Sequence, residues 1–298
     1  EISACLVGSE MCIRDRALAA IEAGVAKLRL NPGNIRDAKK TAEVVEAAKA
    51  KGIPIRIGVN MGSLAPDLEK TLGHTPEAMV ESAMRHVQIL ESLNHTDIVI
   101  SLKAHDVLTT VHAYRLMDSR LRERNTPYAL HLGITEAGLL RDGTIKSSIG
   151  LGILLFEGIG DTIRVSLADD PIEEVPVCWS MLKALGLREK GFEITACPSC
   201  GRAEISVLEL GRSVEAIAKE YSAPVKVAVM GCVVNGPGES KMADVGVAGG
   251  KGKGAIYRAG ELVGTFPEDQ LLGALRLEIE KVIAEKYPAY AHEISNAV

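Results

Sequence analysis

TDIVISLKA, residues 96–104, is a short apolar run that ends on a lysine, and four other stretches repeat the pattern. They are AKLRLNP (26–32), PIRIGVN (54–60), YALHLGIT (128–135) and DTIRVSL (161–167). Runs this short and this apolar are what strands buried on both faces of a parallel sheet look like. Between them lie the helical patterns IRDAKKTAEVVEAAKAKG, TPEAMVESAMRHVQILESL, DVLTTVHAYRLMDSRLRER and the Ser/Gly-rich SSIGLGILLFEGIG. Strand then helix, repeated five times, predicts a parallel α/β domain. Five units do not close an eight-stranded barrel. The domain is either an open sheet or a barrel whose first three strands are absent.

The residues at the strand ends argue for the barrel. Arg29 and Asn31, Arg56 and Asn60, Lys103, His131 with Glu136, and Arg164 all fall at or just after the C-terminal ends of these runs. That is the face on which barrel active sites are built from several strands. Arg29, Arg56, Lys103, Lys146 and Arg164 together predict a positive site that wants an anion, most readily phosphate. Any one of them alone reads equally as half of a salt bridge; recurrence at five equivalent places is the stronger signal. KSSIGLG, from Lys146, offers a lysine, the hydroxyls of Ser147 and Ser148 and flexible backbone before a helix, which reads as a phosphate cradle. His131 reads either as a core histidine or as a site residue. Glu136, in GITEAG, reads either as a helix cap or as a carboxylate facing a ligand.

Composition narrows the function classes. A net charge of -5 with no basic run weighs against nucleic acid or an anionic membrane as partner. The longest apolar runs fall short of the roughly 20 residues that span a bilayer, so a soluble protein is expected. Six cysteines, three of them clustered, fit metal ligation in a reduced compartment better than a disulfide framework. The first stretch, EISACLVGSEMCIRDR, has neither signal-peptide features nor an element period, so residues 1–16 are expected to be a non-native or disordered leader in which Cys5 and Cys12 have no role.

After DTIRVSLADDP the pattern changes, which places the expected boundary at 170/171. IEEVPVCWSMLKALGL reads as a helix with Cys178 in its core stripe. GFEITACP and APVKVAVMG then read as strands, each leading into a cysteine loop, before two further strands and a terminal amphipathic helix. The loops are CPSCGR, with Cys197 and Cys200, and GCVVNGPGE, with Cys232 and Glu239. Three soft thiolates and one harder, displaceable carboxylate from two loops form a candidate metal set with one exchangeable corner. C-x-x-C plus a remote cysteine is a common frame for a four-iron cluster, whereas a zinc ribbon needs a fourth Cys or His near Cys232, where the sequence has none. Cluster and zinc both stay open on residue chemistry alone.

GCVVNGPGE, CPSCGR, LNPGNI, PIRIGVNMGSL, LHLGITEAG and KSSIGLGILLFEGIGDTIRVSL together resemble the IspG (GcpE) family of 4-hydroxy-3-methylbut-2-en-1-yl diphosphate synthases, over about residues 17 to 290. The resemblance implies an incomplete TIM-type (β/α) barrel, residues 17–170 with the first three strands absent, followed by a smaller α/β [4Fe-4S] domain, residues 171–298. It implies Cys197, Cys200, Cys232 and Glu239 as cluster ligands, with Glu239 the one that yields to substrate. It further implies a homodimer sharing its active site between subunits. The implied substrate is 2-C-methyl-D-erythritol 2,4-cyclodiphosphate, with electrons from flavodoxin or ferredoxin. Diphosphate binding then falls to Arg29, Arg56, Asn60, Lys103, Lys146, Ser147, Ser148 and Arg164. Glu136 is expected to donate a proton to the departing hydroxyl, and His131 to orient the diphosphate or Glu136. A phosphate-binding barrel lyase carrying a structural zinc module is the alternative. Open sheet edges are expected to impair stability or activity.

Overall fold

Each apolar run forms a strand because its alternate residues are needed on one buried face. The computed structural model describes residues 13–32, 38–198 and 200–296. The chain divides into two units, Glu1–Leu185 and Gly186–Val298. In the first, the elements are α1 (Ile13–Glu22), β1 (Leu28–Leu30), α2 (Ala38–Ala50), β2 (Ile55–Asn60), α3 (Pro66–Leu72), α4 (Pro76–Ser92), β3 (Ile98–Lys103), α5 (Val107–Glu123), β4 (Ala129–Leu132), α6 (Leu140–Phe156), β5 (Thr162–Ile163) and α7 (Glu174–Ala184). The strands lie side by side in chain order, β1 to β5, every neighbouring pair parallel. This is the α/β unit with a parallel sheet that the alternation predicts.

The two faces of this sheet differ in chemistry. Leu28, Leu30, Ile55, Ile57, Val59, Ile98, Ile100, Leu102, Leu130 and Leu132 point to one side and share a core with Val44 and Val45 of α2, Met79 and Val87 of α4, Val111 and Met117 of α5 and Leu151 and Leu154 of α6. The alternate residues occupy the other face, since side chains along a strand point to opposite sides. There, in register across the strands, Arg29 pairs with Arg56, Asn60 with Lys103, and His131 with Thr162. Helix starts are set locally. Thr75 caps α4 by accepting the Ala78 amide at 3.2 Å, and Asp106 caps α5 by accepting that of Thr109 at 2.7 Å.

The structure changes three expectations here. Residues 13–16 are not leader: they open α1, where Arg14 pairs with Asp15 and Glu43; residues 1–12, with Cys5 and Cys12, lie outside the described residues. The division falls at 185/186 rather than 170/171, because α7 belongs to the first unit, where Val177, Cys178, Met181 and Leu185 pack against its core. KSSIGLG is not a loop preceding a helix. It is the middle of α6, which starts six residues before Lys146. Two glycines of α6 serve close packing: a Cβ at Gly150 would come within 2.8 Å of Ile134, and one at Gly143 within 2.9 Å of the Gly138 carbonyl, whereas Gly152 faces open space.

The second unit holds β6 (Glu193–Ala196), α8 (Val207–Ala218), β7 (Lys226–Met230), α9 (Gly236–Ser240), β8 (Val245–Gly250), β9 (Lys253–Arg258), β10 (Glu261–Pro267) and α10 (Glu268–Lys286). Its sheet runs β10-β9-β8-β7-β6, with β6, β7 and β8 parallel and β9 and β10 antiparallel additions. Val214 and Ile217 of α8 and Leu271, Leu275, Ile279 and Ile283 of α10 close its core over Val227, Val229, Val245 and Val247. Glycine and proline in GPGES mark the first turn of α9, with Pro237 at its start, where a missing N–H costs nothing. Among the described residues no helix is long and apolar enough to cross a membrane.

Candidate active site

At the C-terminal end of the first sheet lies an open cavity of about 590 Å³, within the usual range for a small-molecule site. Arg29, Asn60, Lys103 and Glu136 line it, together with Asn31, Ser63, His74, His105 and Thr135. Arg29 reaches it by lying across Gly58, where any Cβ would collide with the arginine side chain. Its Nη2 then donates to the Gly58 carbonyl at 3.3 Å and to Asn60 Oδ1 at 3.2 Å. Asn31 donates to Ser63 Oγ at 3.0 Å, which itself donates to the Asn60 carbonyl at 3.3 Å. The loops after β1 and β2 are thereby tied together at the cavity floor.

Lys103 is the unusual member. It is 5% exposed, and its Nζ finds no hydrogen-bond partner among the described residues. Room for the amine comes from Gly133, where a Cβ would stand 2.8 Å from Nζ. Burial, then the charges of Arg56, Arg164 and Arg29, push its pKa down to about 7, with Glu174 opposing. Below it sits His131. Burial, then Lys103, Arg56, Lys27 and Arg164, push that imidazole down to about 2, so it is neutral at any working pH. Its Nδ1 is 2.8 Å from Thr162 Oγ1, while Nε2 is buried without a partner among the described residues.

Glu136 follows β4 in a loop tied to the loop after β3 by the Thr135 amide, which donates to the Ala104 carbonyl at 3.2 Å. Its φ is 53°, a left-handed conformation that a glutamate seldom takes and that points to a functional constraint. The remaining expected residues lie elsewhere. Arg56 and Arg164 act on Lys103 through their charge but do not line the cavity. Ser147 is fully buried in α6, Ser148 half-buried and Lys146 exposed; hydrogen bonds from Thr109 hold the Asp106 carboxyl down, with the charge of Lys146 a minor aid. His74 and His105 were not foreseen. His105 could have been, two residues beyond the lysine that ends β3; His74 arrives from the α3–α4 connection, which carries no strand-end signal.

In the second unit a cavity of about 210 Å³ is lined by Cys197, Cys200 and Cys232 with Pro198, Arg202, Met230, Gly231 and Asn235. The adjacent parallel strands β6 and β7 deliver Cys197 and Cys232 to the same sheet end. The Cys197 amide donates to the Val229 carbonyl at 3.2 Å, and the Gly231 amide donates to Cys197 Sγ at 3.2 Å. Hydrogen bonds from the backbone and side chain of Arg202 hold the Cys200 thiol below its usual range. Glu239 lies one turn along α9 from Asn235, outside the lining. Among the described residues no three His, Cys, Asp or Glu groups already converge tightly enough to hold a metal ion. Three thiols lining one cavity, two of them already accepting N–H bonds, nevertheless fit a cluster held on three sulfurs better than a closed four-ligand zinc site.

Comparison with known proteins adds an independent line. The model of the GcpE TIM-barrel domain matches residues 2–179, starting inside the stretch read as leader, and that of the GcpE protein C-terminal domain matches residues 193–281. The chain is 54% identical over 271 residues to the 4-hydroxy-3-methylbut-2-en-1-yl diphosphate synthase (flavodoxin) of Lawsonia intracellularis, covering 90% of this chain and 74% of that protein. It is 54% identical over 272 residues to the protein of the same name from Geobacter sulfurreducens, covering 91% and 76%. The protein so named from Caldanaerobacter subterraneus is 53% identical over 271 residues, covering 91% and 75%.

Proposed function

Since the chain belongs to the GcpE family, we propose that it forms 4-hydroxy-3-methylbut-2-en-1-yl diphosphate by reductive ring opening and dehydration of 2-C-methyl-D-erythritol 2,4-cyclodiphosphate, a step of isoprenoid precursor biosynthesis. The cationic cavity of the first unit carries this reading. A cyclic diphosphate needs positive charge and directional donors, and Arg29, Asn60 and, once protonated, Lys103 supply them at the ends of adjacent strands. Arg56 and Arg164 add charge from beside Lys103. Lys146, Ser147 and Ser148 have a weaker claim, since α6 holds them within a helix.

The overall change takes in two electrons and two protons and releases one water. Glu136, in the loop beside that of Lys103, is the proposed proton donor to the departing hydroxyl, held by a left-handed backbone among the residues lining the cavity. His131, neutral and fixed through Nδ1 to Thr162, is a support beneath Lys103 rather than an acid. Cys197, Cys200 and Cys232 would hold a [4Fe-4S] cluster, with Glu239 as the proposed exchangeable fourth ligand. When bound, such a cluster supplies electrons one at a time beside an exchangeable iron corner. Flavodoxin, the donor printed in the relatives' name, is the proposed reductant. A homodimer sharing its active site and a cytoplasmic setting with reduced thiols complete the proposal.

The lyase with a structural zinc finds no support in the relatives. Anaerobic purification followed by turnover of the cyclic diphosphate with reduced flavodoxin tests the proposal. Brown protein with iron, sulfide and product release is expected, and Glu136→Gln should lower kcat at least a hundredfold with little change in binding. A colourless, zinc-loaded protein, or full turnover by Glu136→Gln, would refute it.

A further inference from the structure

The cavity wall holds a contradiction. A lysine meant to attract an anion is 5% exposed and unpartnered among the described residues, and the charges of three arginines bear on it. Arg29 stands on β1, Arg56 on β2 and Arg164 just beyond β5; His131 of β4 is neutral and offers no countercharge. Glu174 of α7 opposes the arginines, but its Oε1 is already engaged by the Leu167 amide at 3.0 Å, and Glu136, which lines the same cavity, makes no hydrogen bond to the amine. An ammonium in that position forfeits its hydration, gains no acceptor and is repelled by its neighbours. A free amine there costs far less.

We propose that Lys103 is an unprotonated amine in the empty cavity and takes a proton from solvent when the diphosphate enters, so that substrate binding is coupled to uptake of one proton. The inference rests on reading the cavity as a diphosphate site. Two negative charges arriving beside Nζ reverse the local field and provide the missing acceptors, which favours the ammonium. The empty site thereby avoids a buried cation beside the three arginines, and the charge appears only when an anion is present to hold it. The direction of the Lys103 shift, down to about 7, agrees with this geometry. A cyclic diphosphate has no ionisation of its own near neutrality, each phosphorus carrying a single strongly acidic hydroxyl, so any uptake belongs to the protein.

Calorimetric titration of the full chain with the cyclic diphosphate, in buffers of different ionisation enthalpy, counts the protons. About half a proton per site is expected at pH 7, about nine-tenths at pH 8 and about one-tenth at pH 6. Affinity should be flat below pH 6 and fall by up to about tenfold per pH unit above pH 8, until the pKa of the complex is reached. Lys103→Arg, charged throughout, should bind without uptake at pH 8 and without that slope. Uptake unchanged in Lys103→Arg would assign the proton to another group lining the cavity, His74, His105 or Glu136, and overturn the proposal, as would no uptake in the unaltered protein. Titrating the Lys103 side chain by isotope-edited NMR in the empty protein separates the two readings. A midpoint near 10 sinks the inference even if substrate binds. A midpoint near 7 without binding of the cyclic diphosphate sinks the functional reading instead, and titration with sulfate then decides the proton coupling.

Discussion

Tyr114→Phe should cost far more than the loss of one hydroxyl normally does. Tyr114, on α5, is fully buried, and its hydroxyl accepts from the Leu102 amide at 3.0 Å while donating to the His131 carbonyl at 2.6 Å. Strands β3 and β4 pair as Val99 with Ala129 and Ile100 with Leu130. Continued by two residues, that parallel register would join the Leu102 amide directly to the His131 carbonyl. The phenol stands between them as a bridge, prying the strands apart where Lys103 and His131 need room. Burial raises the phenol's pKa, so it remains a donor at every accessible pH. Phenylalanine keeps the wedge and removes the bridge, stranding one buried donor and one buried acceptor. At about 1–2 kcal/mol for each, the loss is about 2–4 kcal/mol. Urea unfolding of the first unit measures it, and amide exchange at Leu102 should quicken in parallel. A stability within about 0.5 kcal/mol of the parent, with Leu102 exchange unchanged, would show that the strands close around the ring and that the bridge is dispensable.

Lys103→Met should stabilise the empty protein in a pH-dependent way. Because the folded pKa, about 7, lies below the ordinary 10.5, the folded chain resists protonation that the unfolded chain accepts; the penalty grows as pH falls from 10.5 and is complete below 7. Urea titrations should therefore show a gain of about 3–5 kcal/mol at pH 6 and little at pH 10, and an equal gain at both would contradict a buried, depressed lysine. Gly231→Ala places a Cβ 2.7 Å from Val207 and 3.1 Å from Ala203, which displaces the amide that bonds Cys197. A destabilisation of about 1–3 kcal/mol and poor iron and sulfide loading are expected, while Gly238→Ala, which has open space, should load normally. Equal loading by the two variants would remove the Gly231 amide from any role at the thiols.

How much of this was legible in the sequence depends on whether local pattern or packing decides each feature. Strands β1 to β5 were readable because buried parallel strands must be apolar, and their order follows from short connections. Cys197, Cys200 and Cys232 were readable because spacing alone brings their loops to neighbouring strand ends. The α6 segment misled because glycine signals both a loop and a close helix contact, and only Ile134 and Leu167, distant in sequence, decide between them. Glu136 gave its position but not its left-handed backbone, and His74 gave nothing. One signal was present and under-read. Arg29, Arg56, Lys103 and His131 interrupt apolar runs at alternate positions, and in a parallel sheet covered on both sides those positions would carry core residues. Violations of a local rule that recur on one face of several strands mark a site rather than a set of independent salt bridges. The periodicity says more than the strand ends do. It assigns His131, well inside β4, to the same cationic face as Lys103, and it gives Gly58 and Gly133 their purpose: each leaves space for the neighbouring strand's cation to reach the cavity.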